Sequence, residues 1–382
     1  MTAAAWLMLA LLLFLAVSGL DVLIGLTRIE RLSQAPPADA PFSSVTLVTA
    51  ARDEERGIEA AARSLLSQGY PALSFVMVDD RSTDRTGAIL DGLARTEPRL
   101  RVLHIRELPP GWLGKNNALQ QGAEAARGDW LLFADADVVM HPETVSRSIG
   151  YAERRGIDHL TILPDMTLSG LALKVFVTAF VVWLLGYLRP WKARDPRSRH
   201  FVGVGAFNLV RTASYIAADG HESIRLRPDD DIKLGKVLKR SGARQDLLSG
   251  RGMVSVEWYH SLREAIDGLM KNSFAVVQYN PVLMLLGALF YLVIGVGPLA
   301  ALCFGDGTLR LLGGSAVAVQ LLVHLRATRE ALAPWYAALL YPLASMLMCW
   351  IILRALVRNL SQGGIVWRGT FYPLSELRRN RV

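Results

Sequence analysis

The chain has 382 residues, 42 Lys and Arg against 34 Asp and Glu, a formal net charge of +8, 52% hydrophobic residues and two cysteines. Such a composition excludes a disordered chain and a small disulfide scaffold, and the apolar excess matters only where it is concentrated. It is concentrated at the two ends.

Residues 6–26 carry one charge, Asp21, and a helix of that length spans the roughly 30 Å hydrocarbon core of a bilayer. With no Lys or Arg ahead of the run, residues 1–27 read as a transmembrane anchor rather than a cleaved signal peptide. Arg28 and Arg31 follow it, which by the positive-inside rule puts the next domain in the cytoplasm.

A proline-containing linker over 33–41 leads into a soluble stretch that runs to about residue 280. There, short apolar runs rich in β-formers alternate with helix-like segments. Strands are expected over 45–50, 75–78, 101–105 and 130–134, and helices over 54–68, 85–95, 117–127 and 143–155. This alternation predicts an α/β domain with a mostly parallel, doubly wound sheet, in which ligands bind beyond the carboxyl ends of the strands.

Residues 168–191 are apolar, but the uncharged core between Lys174 and Arg189 is short for a span and contains Trp183 and Tyr187, with Trp191 just beyond. An interfacial helix with its aromatics at head-group level is expected. Three further apolar stretches, 281–304, 309–325 and 335–356, make residues 281–382 a membrane domain. The tail is basic, with Arg358, Arg368, Arg378, Arg379 and Arg381, which the rule draws to the cytoplasmic side and which leaves the number of spans open. Cys303 and Cys349 lie inside apolar runs without metal or disulfide spacing. No nucleic-acid motif is present, so no nucleic-acid partner is expected.

Three acidic clusters fall at strand or helix ends. In Asp79-Asp80-Arg81-Ser82-Thr83-Asp84, Asp84 or its neighbours serve as a helix cap, whereas adjacent Asp79 and Asp80 repel one another unless a cation or polar ligand is present. Asp135-Ala136-Asp137 follows a strand, and the two-residue period aims both carboxylates to one side. That pair suits Mg²⁺ or Mn²⁺, which takes one or two carboxylates together with substrate phosphate oxygens. Asp229-Asp230-Asp231 precedes a helix expected over 232–240. Acids favour a helix N-terminus, and repulsion among three raises one carboxylate toward a general base. Gly111-Trp112-Leu113-Gly114-Lys115-Asn116 lacks the P-loop spacing and Gly203-Val204-Gly205 lacks the third glycine of a dinucleotide fingerprint, although Lys115 can meet a diphosphate as a point charge.

Taken in order, Asp53-Glu54-Glu55 after the first strand, Asp79-Asp80-x-Ser-x-Asp84, Gly114-Lys115-Asn116, Asp135-Ala136-Asp137 and Asp230-Asp231-x-x-Leu234 resemble the family 2 glycosyltransferases of GT-A fold. The membrane-bound lipid-modifying branch is nearest, with enzymes like ceramide glucosyltransferase and the hopanoid-associated and carotenoid enzymes, and Trp367-Arg368-Gly369 after the last apolar run belongs to the same resemblance. The resemblance implies that Asp53 and Asp80, with Asp79 beside them, hold the nucleoside of a nucleotide-sugar. It implies further that Lys115 approaches the phosphates, that Asp137 and Asp135 hold the divalent ion, and that Asp231, with Asp230, supplies the base. Gly203, Gly205 and Phe207 would lie under the acceptor. Relatives' Gln-x-x-Arg-Trp motif is replaced by Gly268-Leu269-Met270-Lys271-Asn272, where Lys271 keeps a charge on the acceptor side.

The sequence therefore predicts three segments: an anchor over 1–27, a cytosolic GT-A domain over 28–280 with an interfacial helix at 168–191, and a membrane domain over 281–382. The expected activity is metal-dependent inverting transfer of a sugar, most simply from a UDP-sugar, to a membrane lipid at the inner face of the cell membrane. A processive polysaccharide synthase and a non-catalytic membrane scaffold are the alternatives.

Overall fold

A computed structural model describes residues 2–380 and 382, so that Met1 and the tail residue Arg381 lie outside the described residues. In chain order the elements are α1 (Ala3–Thr27), β1 (Val45–Ala51), α2 (Ile58–Leu66), β2 (Leu73–Asp80), α3 (Thr86–Ala94), β3 (Leu100–Ile105), α4 (Gly114–Ala125), β4 (Trp130–Phe133), β5 (Val139–Met140) and α5 (Thr144–Arg155). Next come β6 (His159–Leu163), β7 (Asp165–Met166), α6 (Leu171–Leu188), β8 (Asn208–Arg211), α7 (Thr212–Ala217), α8 (Asp230–Arg240), β9 (Gln245–Ser249) and β10 (Val254–Val256). The chain closes with α9 (Leu262–Val276), α10 (Pro281–Phe304), α11 (Gly307–Glu330), α12 (Tyr341–Gln362), β11 (Gly364–Trp367), β12 (Thr370–Pro373) and α13 (Leu374–Leu377).

Two compact units emerge: one of Ile29–Asp165, Pro190–Glu257 and Asn380–Val382, the other of Met1–Arg28, Met166–Arg189 and Trp258–Arg379. This division into two units cuts across the three expected segments, since the N-terminal helix, α6 and α9 group with the C-terminal hydrophobic helices rather than with the sheet.

The first unit is built on a seven-stranded sheet in the order β3-β2-β1-β4-β8-β6-β9. β1 pairs in parallel with β2 and β4, β2 with β3, and β6 with β9, while β8 runs antiparallel between β4 and β6. The order reverses beside β1, between β2 and β4, which is the switch point where an α/β sheet opens its ligand crevice.

Strand periodicity explains the two covered faces. Odd-numbered residues of β2 and the matching residues of β1 and β4, Leu47, Phe75, Met77 and Leu132, enter one core with Ile58 and Leu65 of α2 and Ile149 of α5. Their neighbours Val48, Val76, Val78, Leu131 and Phe133 enter a second core with Leu119 of α4 and Leu234 and Leu238 of α8. A strand buried on both sides reads as a continuous apolar run, as these do.

Helix α8 meets the loop before β8 backbone against backbone. A Cβ at Gly235 would come within 1.8 Å of the Val202 carbonyl oxygen, and one at Gly203 within 1.9 Å of the Asp231 carbonyl oxygen. No side chain fits either gap.

In the second unit, Asn280 caps α10 by accepting the Val282 and Leu283 N–H groups at 2.9 and 3.3 Å. Asp306 caps α11 by accepting the Leu309 N–H at 2.9 Å. The polar break at 305–307 is thus a turn between two helices, and the short middle run at 309–325 is the centre of a 24-residue helix. Among the described residues five helices are long and apolar enough to cross a membrane: Ala3–Thr27, Leu171–Lys192, Pro281–Phe304, Gly307–Glu330 and Trp335–Gln362. Leu171–Lys192 meets that measure because α6 begins ahead of Lys174 and a single helical turn, Pro190–Lys192, follows its left-handed C-cap Arg189; nine of the residues of α6 are buried.

Alanine in place of glycine inside a helix ordinarily adds about 1 kcal/mol of stability. The contact with Val202 reverses the sign for Gly235→Ala, which is expected to lower the melting temperature by several degrees. A rise would show that α8 does not pack this closely.

Candidate active site

The ends of β1, β2 and β4, the start of α4 and the start of α8 bring most of the acidic clusters together. Asp80 is buried at the end of β2, paired with Arg81 at 2.7 Å. It lies on the α4 side, so close that a Cβ at Gly114 would approach its Oδ2 within 2.3 Å. Glycine at 114 lets the first turn of α4 pass against Asp80 and carry Lys115 inward. The helix starts at Gly114, three residues before the expected position.

Lys115 joins two clusters. Its Nζ lies 2.8 Å from Asp135 Oδ1 and 3.1 Å from Asp230 Oδ2. Burial by itself would lower the lysine pKa, but the charges of Asp135, Asp230 and Asp231 outweigh it and hold the value well above the ordinary range. Lys115 is a permanent cation here. Asp135 is fixed from its main chain as well, donating its N–H to the Gly205 carbonyl at 3.1 Å.

The triple acid separates into three roles. Asp229 is bound by the fully buried Arg227 through Nε and Nη2 at 2.8 and 2.9 Å, with Lys233 at 3.4 Å. That neutralises it, and Asp229 is structural. Asp230 faces Lys115. Asp231, in the first turn of α8, accepts the Gly205 N–H at 2.9 Å and the Ile232 N–H at 2.8 Å. Burial and the neighbouring Asp230 push its pKa upward, against the opposing pull of Lys115. A half-buried carboxylate with a raised pKa has the character a general base needs.

Asp137 is reached by water and makes no side-chain ion pair among the described residues. Desolvation by its surroundings and the charge of Asp135 raise its pKa to about 6. Among the described residues no three His, Cys, Asp or Glu are arranged to hold a metal. Asp135 and Asp137 are two carboxylates of the kind an Mg²⁺- or Mn²⁺-type ion takes together with phosphate and water oxygens.

Asp53 sits in a left-handed conformation (φ 54°) after β1. Its carboxylate accepts the Thr83 N–H and hydroxyl at 2.7 and 3.2 Å, tying the loop after β1 to the loop after β2.

Two expected site residues point elsewhere. Asp79 is adjacent to Asp80 and so faces the opposite side of the strand. There it meets His104 Nδ1 at 3.0 Å, with His104 Nε2 2.9 Å from Asp91. Phe207 is fully buried in the core with Leu209 and Trp130, so it anchors the loop under the site and does not line it. Lys271 belongs to the second unit, where its Nζ stands 4.3 Å from the Trp367 ring centroid. Asn116 was not singled out in its own right: its Nδ2 donates to the Ile224 and Arg227 carbonyls at 2.8 and 2.9 Å and holds the loop leading to α8. Strand parity in β2 was the available signal for Asp79, whereas nothing near Asn116 in sequence marks its partners a hundred residues away.

Residues 46–211 match the family model for glycosyl transferase family 2. The succinoglycan biosynthesis protein ExoO of Rhizobium meliloti is 34% identical over 38% of this chain and 40% of its own length. The 4,4'-diaponeurosporenoate glycosyltransferase of Staphylococcus haemolyticus is 27% identical over 60% of each chain. The beta-monoglucosyldiacylglycerol synthase of Synechocystis is 34% identical over 31% of this chain and 26% of its own length. The matches thus span between about a quarter and three fifths of these relatives. Among solved structures, a mannosyltransferase from Pyrobaculum calidifontis in complex with GDP-Man and Mn²⁺ superposes with a TM-score of 0.56 at 16% identity, covering 93% of this chain and 99% of its own. Residues 46–211 thus form a family 2 glycosyltransferase domain, and the α/β fold is of the GT-A type.

His104 supplies a test of the β2–β3 edge. Its hydrogen bonds to Asp79 and Asp91 raise its pKa above the ordinary value, so the stabilisation is complete below about pH 6.5, the unfolded value, and is lost as pH rises through the folded one. The melting-temperature gap between wild type and His104→Gln is expected to be widest near pH 6 and to close toward pH 9. A gap that does not change with pH would contradict the ion pair.

Proposed function

We propose that this protein transfers a glycosyl group from a nucleotide-sugar to the hydroxyl of a membrane lipid, with inversion at the anomeric carbon. The observation that carries the reading is the placement of Asp231: a half-buried carboxylate with a raised pKa, gripped by the Gly205 N–H and adjoining the Lys115–Asp135 pair.

Asp53 and Asp80 hold the nucleoside at the switch point of the sheet. Lys115 faces the diphosphate and offsets the charge that grows on it as the glycosidic C–O bond breaks. A divalent ion held by Asp135 and Asp137 supplies further neutralisation on the diphosphate when bound. Asp231 takes the proton of the acceptor hydroxyl as that oxygen bonds to the anomeric carbon, and the bonding electrons leave with the nucleoside diphosphate. Asp230 stays paired with Lys115 and sets the charge around the base. Gly203 and Gly205 let the loop press against Asp231 and Asp135, where a Cβ would meet the Asp231 carbonyl oxygen at 1.9 Å and Asp135 Oδ2 at 2.6 Å.

A lipid acceptor is supported by five helices of membrane-spanning length and by a relative named for a diacylglycerol product. Arg28 and Arg31 after α1 favour a cytoplasmic catalytic unit on the inner membrane of the cell. α6, one of these five, is read as an interfacial helix. The relative named for succinoglycan biosynthesis favours a second reading, extension of a polysaccharide; a ladder of products rather than one glycolipid in vitro would select it.

Two outcomes test the reading. Thermal unfolding of the detergent-purified chain with UDP, GDP or dTDP, each with and without Mn²⁺, is expected to shift for one nucleotide in the presence of the metal. At a hundredfold excess over Kd the gain is about 2.7 kcal/mol, and Asp137→Asn removes it; no shift with any nucleotide would favour the scaffold. Asp231→Asn is expected to bind that nucleotide as wild type does while transfer falls by about 10²- to 10⁴-fold, the contribution typical of a general base. Full activity in that variant would remove Asp231 from the base role.

A further inference from the structure

Beneath the site lies a buried polar network that the mechanism above does not use. His159 of β6, Asn208 of β8 and Gln245 of β9 are 0%, 2% and 0% exposed. They come from three neighbouring strands of the central sheet. His159 Nε2 lies 3.0 Å from Asn208 Oδ1 and its Nδ1 lies 2.9 Å from Gln245 Nε2. An amide oxygen only accepts and an amide NH₂ only donates, so these partners fix one neutral tautomer with the proton on Nε2. Burial agrees, lowering the His159 pKa to about 4.

The network ends on backbone groups of the catalytic loop. Gln245 Oε1 accepts the Val202 N–H at 3.3 Å and Asn208 Oδ1 accepts the Val204 N–H at 3.4 Å. Gln245 Nε2 also donates to the Gly235 carbonyl in α8 at 2.6 Å. These contacts bracket Gly203, whose backbone abuts the Asp231 carbonyl, and they precede Gly205, whose N–H holds the Asp231 carboxylate.

We propose that His159, Asn208 and Gln245 are positioning residues that clamp residues 202–204 to α8 and so aim the Gly205 N–H and the Asp231 carboxylate at the acceptor. None of the three touches substrate. The chain of contacts runs from the sheet to the base through main-chain atoms, which hold their geometry without rotamer freedom. Misplacement of a reacting group by about 1 Å costs on the order of 10²-fold in rate, so a clamp of this kind acts chiefly on kcat: on the donor side it reaches only the main chain of Asp135, through the Gly205 carbonyl, and the groups on β1, β2 and α4 stand apart from it. The proposal rests on Asp231 being the base, and its test has one arm that does not depend on activity.

That arm is amide hydrogen exchange by mass spectrometry on the full chain in detergent. Asn208→Leu removes the acceptor for both His159 and Val204, and exchange in 202–207 and 230–235 is expected to speed up while 45–51 is unaltered. In the second arm, release of UDP or GDP from the matching nucleotide-sugar is expected to fall about 10- to 100-fold in kcat, with KM for the donor changed by less than about threefold. Asn208→Asp, which keeps an acceptor oxygen, is expected to restore most of kcat. Gln245→Met, close to it in volume and uncharged, releases both Val202 and Gly235 and serves as the second variant if Asn208→Leu does not fold. Unaltered exchange in 202–207 would overturn the clamp. Faster exchange with unchanged kcat, or a rise in KM alone, would overturn its role in aiming the base. A wild-type protein that releases nucleotide from no donor would instead count against glycosyl transfer, and the exchange arm would still decide whether the three side chains hold the loop.

Discussion

Everything at the site depends on how closely the 202–205 loop lies against the first two turns of α8. Two glycines, Gly203 and Gly235, let main chain meet main chain where even a methyl group would collide with a carbonyl oxygen. That approach brings the Gly205 N–H to Asp231 Oδ2 and the Gly205 carbonyl to the Asp135 N–H. One loop therefore sets the positions of Asp231, the proposed base, and of the first carboxylate of the Asp135-Ala136-Asp137 pair. Glycine here serves contact rather than flexibility, and the cost of ordering it is offset by the two hydrogen bonds it permits.

Charge is the second organising constraint. Asp135, Asp230 and Asp231 converge on one lysine, and a buried group of this kind is tolerable only because Lys115 stands within hydrogen-bond reach of two of them. The excess negative charge that remains falls on Asp137 and Asp231, the two carboxylates whose pKa values are raised. A site so loaded favours an incoming cation beside Asp135 and Asp137 and a proton on Asp231, the two roles the proposed transfer gives them. Asp229, the third member of its run, is removed from this balance by a bidentate bond from a buried arginine.

The parts legible in the sequence were those governed by local pattern. Apolar runs of β-formers alternating with amphipathic stretches located β1 to β4 and α2 to α5, and the Asp-x-Asp period placed Asp135 and Asp137 after β4. The antiparallel β8 was not legible, because a four-residue strand after a long irregular loop has no periodicity to read. Parity could have separated Asp79 from Asp80, since the apolar residues of β2 already alternate between two cores. The partners of Asp229, Asn116 and His159 could not be inferred: Arg227 looks like any surface arginine until the fold buries it, and Gln245 meets His159 only across 86 residues. The joining of α6 and α9 to the hydrophobic unit was hidden for the same reason, since amphipathic pattern names a face and not what covers it.

The central claim is a single displacement driven by one base, Asp231, with no protein nucleophile on the path. Its most direct measurement is the anomeric configuration of the newly transferred sugar, read from the proton coupling constant of the product before mutarotation or purification can scramble it. The account predicts inversion relative to the donor. Retention would require a second displacement or a front-face route that Asp231 as a base does not provide, and would contradict it.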